Sequence, residues 1–202
     1  MSEQNLVQPI NSMRCTAGYK DARYLRENGF SHYGCDYTDL ARSNTRLYSL
    51  GTGNVLEAGP DVNTGNTIII RYNNVKVQKS WGRLVAGSVI SVVCRMWHLK
   101  SISIAKSQMV DKDTTIGFYG NTGGKSFGAH LHIEFDTDLI CYAYSPTFRS
   151  GTNGGIIRGG TDSSVSPGAL ISTKTSPPDS QSSFDSNNGY CSRFDWNFVE
   201  VK

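Results

Sequence analysis

No stretch of this chain stays apolar for the roughly 18 residues that a membrane-spanning helix needs, so no such helix is expected. The opening residues, MSEQNLVQPI, lack a basic segment followed by an apolar one, and no secretory leader is visible. Charge of one sign is scarce: 20 Lys and Arg stand against 17 Asp and Glu, for a net charge of +3. The basic residues are scattered, which argues against a nucleic-acid partner. The five cysteines, Cys15, Cys35, Cys94, Cys141 and Cys191, form no CxxC pair, so a cysteine-only metal site is not expected. Their odd number leaves at least one thiol free in a monomer, and the redox compartment stays open. Helical periodicity is weak throughout. Histidine is sparse as well, with four in 202 residues, at positions 32, 98, 130 and 132.

What the chain has in quantity is Gly, Ser, Thr, Asn and Tyr, a composition that leans towards strands and long loops. Residues 1 to about 30 read as an irregular lead-in. From about 44 to 135 the text is strand-like. NTIIIRY (66–72), SVISVVCRMWHL (88–99), TIGFYG (115–120) and HLHIEF (130–135) are short and rich in β-branched or aromatic residues. Two Gly/Asn/Asp-rich stretches, 57–66 and 120–128, read as turns. The pattern predicts one antiparallel all-β domain over residues 1–148. From 149 to 202 the composition turns linker-like, rich in Gly, Ser and Pro, and this tail either trails away or packs back on the domain. Within it, YCSRFDWNFVEVK (190–202) recovers aromatics and reads as a returning strand or a truncated further segment.

The histidines carry the chemistry. In a strand over 130–135, alternation puts His130, His132 and Glu134 on one face and Leu131, Ile133 and Phe135 on the other. The second set is a core face; the first is either a solvent-facing polar row or a set of ligands. In SHYGCDY (31–37), His32 and Asp36 flank Gly34, and a loop running into a strand there lets an imidazole and a carboxylate converge. One further histidine completes a set of three N/O donors, the number found in catalytic zinc sites that keep a fourth position open for water. The bland alternative is a surface histidine bonded to a turn aspartate. His98 closes an apolar run and, taken alone, reads as a rim residue.

Taken in order, these pieces resemble the lysostaphin-type (LytM-like) zinc endopeptidases, which cut peptide bonds in bacterial peptidoglycan. His32-Tyr33-Gly34-Cys35-Asp36 resembles that family's HxGxD motif, Met96-Trp97-His98-Leu99 its YxHL segment, and Gly128 to Glu134 its GxHLHFE motif. VDKDTTIGFYGNTG (110–123) and GNTIIIRY (65–72) resemble two further stretches between them. The likeness covers roughly residues 14–147 and uses all four histidines. It departs at Asp113, Met96 and Cys35, and in a longer link over 77–95. The resemblance implies a sandwich-like β domain of the duplicated hybrid motif type. It implies one Zn2+ held by His32, Asp36 and His132, with His98 and His130 as catalytic groups beside the open position. Glu134 would then orient a ligand histidine. Tyr33, Tyr37, Trp81 and Trp97 are candidates to line a substrate groove, with core packing an equal alternative for Trp97. The implied partner is peptidoglycan peptide at the bacterial cell wall, whether extracellular, periplasmic or phage-delivered. A non-catalytic wall-binding or regulatory module on the same fold is the alternative. The cleaved bond and the oligomeric state are left open.

Overall fold

The computed structural model describes residues 2–10, 12–39, 45–140, 157–158, 161–172 and 191–192. Its centre is a nine-stranded antiparallel sheet. The strands are β1 (Ser12–Ala17), β2 (Gly34–Asp39), β4 (Gly53–Asp61), β5 (Gly65–Lys76), β6 (Val89–Leu99), β8 (Met109–Val110), β10 (Leu131–Asp136), β13 (Ser164–Val165) and β14 (Cys191–Ser192). They run in the order β14-β1-β2-β10-β6-β5-β4-β8, with β13 also pairing β10. A small sheet joins β3 (Arg46–Tyr48), β9 (Thr115–Phe118) and β7 (Ser101–Ile102), and β11 (Ile157–Arg158) pairs β12 (Thr161–Asp162). Among the described residues there are also two short helices, α1 (Ala22–Asn28) and α2 (Pro167–Leu170). Among the described residues no helix is long and apolar enough to cross a membrane.

The alternating pattern of the central strands decides the core. Ile68, Ile70 and Tyr72 of β5, Cys94 and Met96 of β6, Cys35 and Tyr37 of β2, and Leu131, Ile133 and Phe135 of β10 all point into one apolar cluster. Burying each large apolar side chain contributes about 1.5–3 kcal/mol. The opposite face of β2, β10 and β6 holds the polar residues described below.

Two expectations need correction, and the tail takes one of the two courses left open for it. The lead-in is not irregular. β1 pairs with β2, and α1 is capped by Asp21, whose Oδ1 accepts the Arg23 and Tyr24 amides at 2.7 and 3.1 Å. Gly29 ends the helix at φ 78°, and Leu6, Val7 and Ile10 lie in the core. The stretch 57–66 is mostly strand, because β4 runs to Asp61. Only the tight reversal into β5 is a turn, where Asp61 Oδ1 accepts the amides of Asn63 and Thr64 at 2.9 and 3.0 Å. Pro60 is tolerated because, among the described residues, that part of β4 pairs with β5 alone. Within the linker-like tail, β13 pairs β10, and Val165, Ala169, Leu170 and Ile171 enter the same core as the central strands. Of the stretch 190–202 only the backbone of β14 falls within the described residues. Cys15, Cys35 and Cys94 are buried and in no disulfide; the side chains of Cys141 and Cys191 lie outside the described residues.

Candidate metal centre

Strand pairing builds the floor of the site. β10 lies between β2 and β6, in a register that sets His132 opposite Asp36 on one side and Trp97 on the other. All three side chains rise from the same face. His32 reaches the point from the loop before β2. His32 Nε2, His132 Nδ1 and Asp36 Oδ1 lie 3.1, 3.2 and 2.9 Å apart, counted as His32–His132, His32–Asp36 and His132–Asp36. These are the atoms of a set able to hold a metal. Tetrahedral bonds of about 2.0–2.1 Å require donor atoms about 3.3 Å apart, and the observed edges come close to that.

The ring orientations suit the task. His32 donates Nδ1–H to the Gly18 carbonyl at 2.8 Å, which leaves the Nε2 lone pair facing the other donors. Tyr24 stacks on His32 with centroids 4.3 Å apart, and Trp97 stacks on His132 at 4.0 Å. Gly34 is needed for contact rather than for a turn: a Cβ there would stand 2.6 Å from His132 Nε2. That is the physical reason for glycine between His32 and Asp36. Burial opposes charge on all three donors, but their mutual attraction outweighs it. Asp36 is held well below the usual carboxylate range by His32, His132 and His130, and the two buried imidazoles are raised by Asp36.

The remaining two histidines stand at the rim. His130 precedes β10 rather than lying in it. It donates Nδ1–H to Gly128 O at 2.7 Å and turns Nε2 towards Asp36 Oδ1, 3.7 Å away. His98 sits 4.5 Å from His130, ring to ring. Its backbone is left-handed at φ 68°, a strained state for a side chain of this size. Two bonds hold it there: its N–H to Thr64 O at 2.9 Å, and its Nδ1–H to Thr122 O at 2.8 Å. Burial, and then the His130 charge, pushes the His98 pKa down to about 4, so its Nε2 is an unprotonated acceptor at neutral pH.

Below the floor, Glu134 is fully buried, with Oε2 3.7 Å from His132 Nε2 and Oε1 3.2 Å from Arg95 Nη1. A cleft of about 360 Å³ opens above the donors. Arg23, Tyr24, Glu27 and Asn28 of α1 form one wall, and Lys125, Phe127 and Gly128 form the other. All six site residues read from the sequence therefore meet in one region. The groove aromatics fare less well. Trp97 lines the cleft, but Tyr37 is buried in the core and Trp81 packs edge-on against Tyr19 in a separate pocket. The α1 wall was not expected, although an Asp followed by Gly eight residues on is a legible helix bracket.

The profile of peptidase family M23 matches residues 30–139, which contain His32, Asp36, His98, His130 and His132. The chain belongs to peptidase family M23. Over 127 residues it is 27% identical to an uncharacterized metalloprotease of Buchnera aphidicola subsp. Baizongia pistaciae, covering 62% of this chain and 29% of that protein. A zinc-containing peptidase from Vibrio cholerae superposes with a TM-score of 0.50 at 26% identity, covering 66% of this chain and 37% of that one. The catalytic domain of lysostaphin from Staphylococcus simulans, an antimicrobial peptidase, gives 0.48 at 24% identity, covering 62% and 80%. This M23 chain thus matches about a third of the length of the first two relatives. Its fold is the antiparallel β-fold of the family.

Proposed function

We propose that the protein is a zinc-dependent endopeptidase that hydrolyses a peptide bond of bacterial peptidoglycan, in a stem peptide or a cross-bridge, at the cell wall. The observation that carries this reading is the trio of donor atoms within 3.2 Å of one another on the cleft floor, with two more imidazoles at its edge. His32, Asp36 and His132 would hold one Zn2+. Bound there, zinc supplies a Lewis acid that polarises a carbonyl and lowers the pKa of water to about 7.

The chain's own groups do the rest. The walls of α1 and residues 125–128 hold an extended peptide over the donors. His98, kept neutral by burial, accepts a proton at Nε2. His130, when protonated at Nε2 as well as at the Nδ1 bonded to Gly128 O, donates a hydrogen bond to the oxygen of the tetrahedral intermediate or gives its own Nε2 proton to the leaving amine, and it is reprotonated from water while His98 releases to water the proton it accepted. Glu134 steadies His132 from below.

The test is digestion of purified peptidoglycans of several cross-bridge types, read by mass spectrometry, with and without a zinc chelator. New amine termini that vanish with chelator and return with zinc are expected, and the fragments name the bond. No cleavage of any wall by protein shown to hold one zinc would favour a binding or regulatory module.

A further inference from the structure

Beneath the donors lies a charged cluster whose residues do not line the cleft. Arg95 of β6 is fully buried, as are Glu134 and Asp136 of β10. The β6–β10 register sets Arg95 directly opposite Glu134. Its Nη1 lies 3.2 Å from Glu134 Oε1 and 3.3 Å from Asp136 Oδ2. The other oxygen of Asp136 accepts the Asp138 amide at 2.7 Å. The other oxygen of Glu134 faces His132, whose Nε2 is buried and makes no hydrogen bond to the described residues.

Such a cluster is not a cheap source of stability. Desolvating three charges costs several kcal/mol per ion, and apolar residues of equal volume often replace buried ion pairs without loss. Its geometry is more informative than its energy. A glutamate side chain has three torsions, and a carboxylate alone in this layer could turn either oxygen, or neither, to His132. Arg95 takes one oxygen and is itself tethered to Asp136, so the second oxygen is left in line with the imidazole. The outer partner of a metal-ligating histidine fixes its ring and typically changes metal affinity 10–100-fold when removed.

We infer that Arg95 is a positioning residue for the metal centre: braced by Asp136, it fixes the Glu134 carboxylate under His132 and thereby sets how tightly His32, Asp36 and His132 bind zinc. The inference rests on the zinc reading of the site. It assigns Arg95 no contact with substrate.

The test is zinc affinity of the full chain by competition with a chromophoric chelator, with the absorption spectrum of the cobalt-substituted protein as a second readout. Arg95→Met is expected to weaken zinc binding about 10–100-fold and to shift the cobalt bands. Glu134→Gln should weaken it similarly, and the double variant should be no weaker than the weaker single one, because both act through one carboxylate. Wild-type affinity in Arg95→Met, or losses that multiply in the double variant, would overturn the inference. If Arg95→Met does not fold, Arg95→Gln decides. It keeps a polar side chain but loses the positive charge that Nη1 brings to both carboxylates. Weaker zinc binding there supports the inference, and unchanged binding overturns it. A wild-type chain that binds no zinc would instead bring down the zinc reading itself, and this inference with it.

Discussion

Asp36 and His132 face each other across paired strands, whereas His98 and His130 stand where strands end. The first pair needs only the β2–β10 register to meet. The second pair depends on carbonyls lent by loops: Thr64 and Thr122 for His98, Gly128 for His130. Tyr119 adds a brace, its hydroxyl donating to Ala129 O at 2.5 Å. The floor is thus part of the sheet and shares its stability, while the rim is a loop property. Metal binding and proton handling are expected to be separable, and substitutions at the floor, at the rim and in the supporting loop rank that separation.

The largest effect is expected at the floor. Asp36→Ala or His132→Ala removes one of three donors from a site that needs all of them, so bound zinc should fall from about one equivalent to near zero. Activity should fall with it. Elemental analysis of the purified variants checks this, and full zinc content in either one would remove that residue from the ligand set. At the rim the effect should split. His130→Ala is expected to keep its zinc and lose about 10²–10⁴-fold in kcat, the usual worth of a positioned proton-transfer group. Equal loss of zinc and of turnover would erase the distinction between floor and rim.

The same distinction governs what could be read from the sequence. Donors on strands were legible because a period of two is simple: His132 and Glu134 had to share a face, with Leu131, Ile133 and Phe135 turned to the core. His32 and Asp36 were legible through their spacing around Gly34, though the reason for the glycine, the ring of His132 beside it, is a contact across 98 residues of chain and only the fold reveals it. Arg95 was not legible. Within VISVVCRMWHL it looks like a polar interruption of an apolar strand, and it acquires meaning only from the register that sets it opposite Glu134. The tail was left open for a different reason. SSVSPGALI reads as linker by composition, yet a handful of small apolar residues suffices where β10 already offers an open edge beyond the end of β2. The cleft wall of α1 was missed because none of its residues is buried, so no apolar stripe announces it.

The smallest expected effect is the most discriminating. Gly123 has φ 94°, and a Cβ there would collide with Gly65 N and stand 2.6 Å from Asn63 O. Gly123 follows Thr122, whose carbonyl holds the His98 ring. Gly123→Ala should therefore cost about 1–2 kcal/mol in backbone strain and shift that carbonyl. Zinc content should stay unchanged while kcat falls roughly tenfold, since misplacing a reacting group by about 1 Å can cost up to about a hundredfold. Gly82 provides the matched control. It too has a positive φ, 55°, but a methyl group added there would meet no atom within 4 Å, and it does not line the cleft. Gly82→Ala should lower the midpoint of thermal unfolding through the same kind of strain and leave kcat alone. If both alanines reduce kcat in proportion to lost stability, the rim histidines depend on overall rigidity, not on the carbonyls of residues 64 and 122. If only Gly123→Ala does, the loop carbonyls are what hold the proton-handling groups in place.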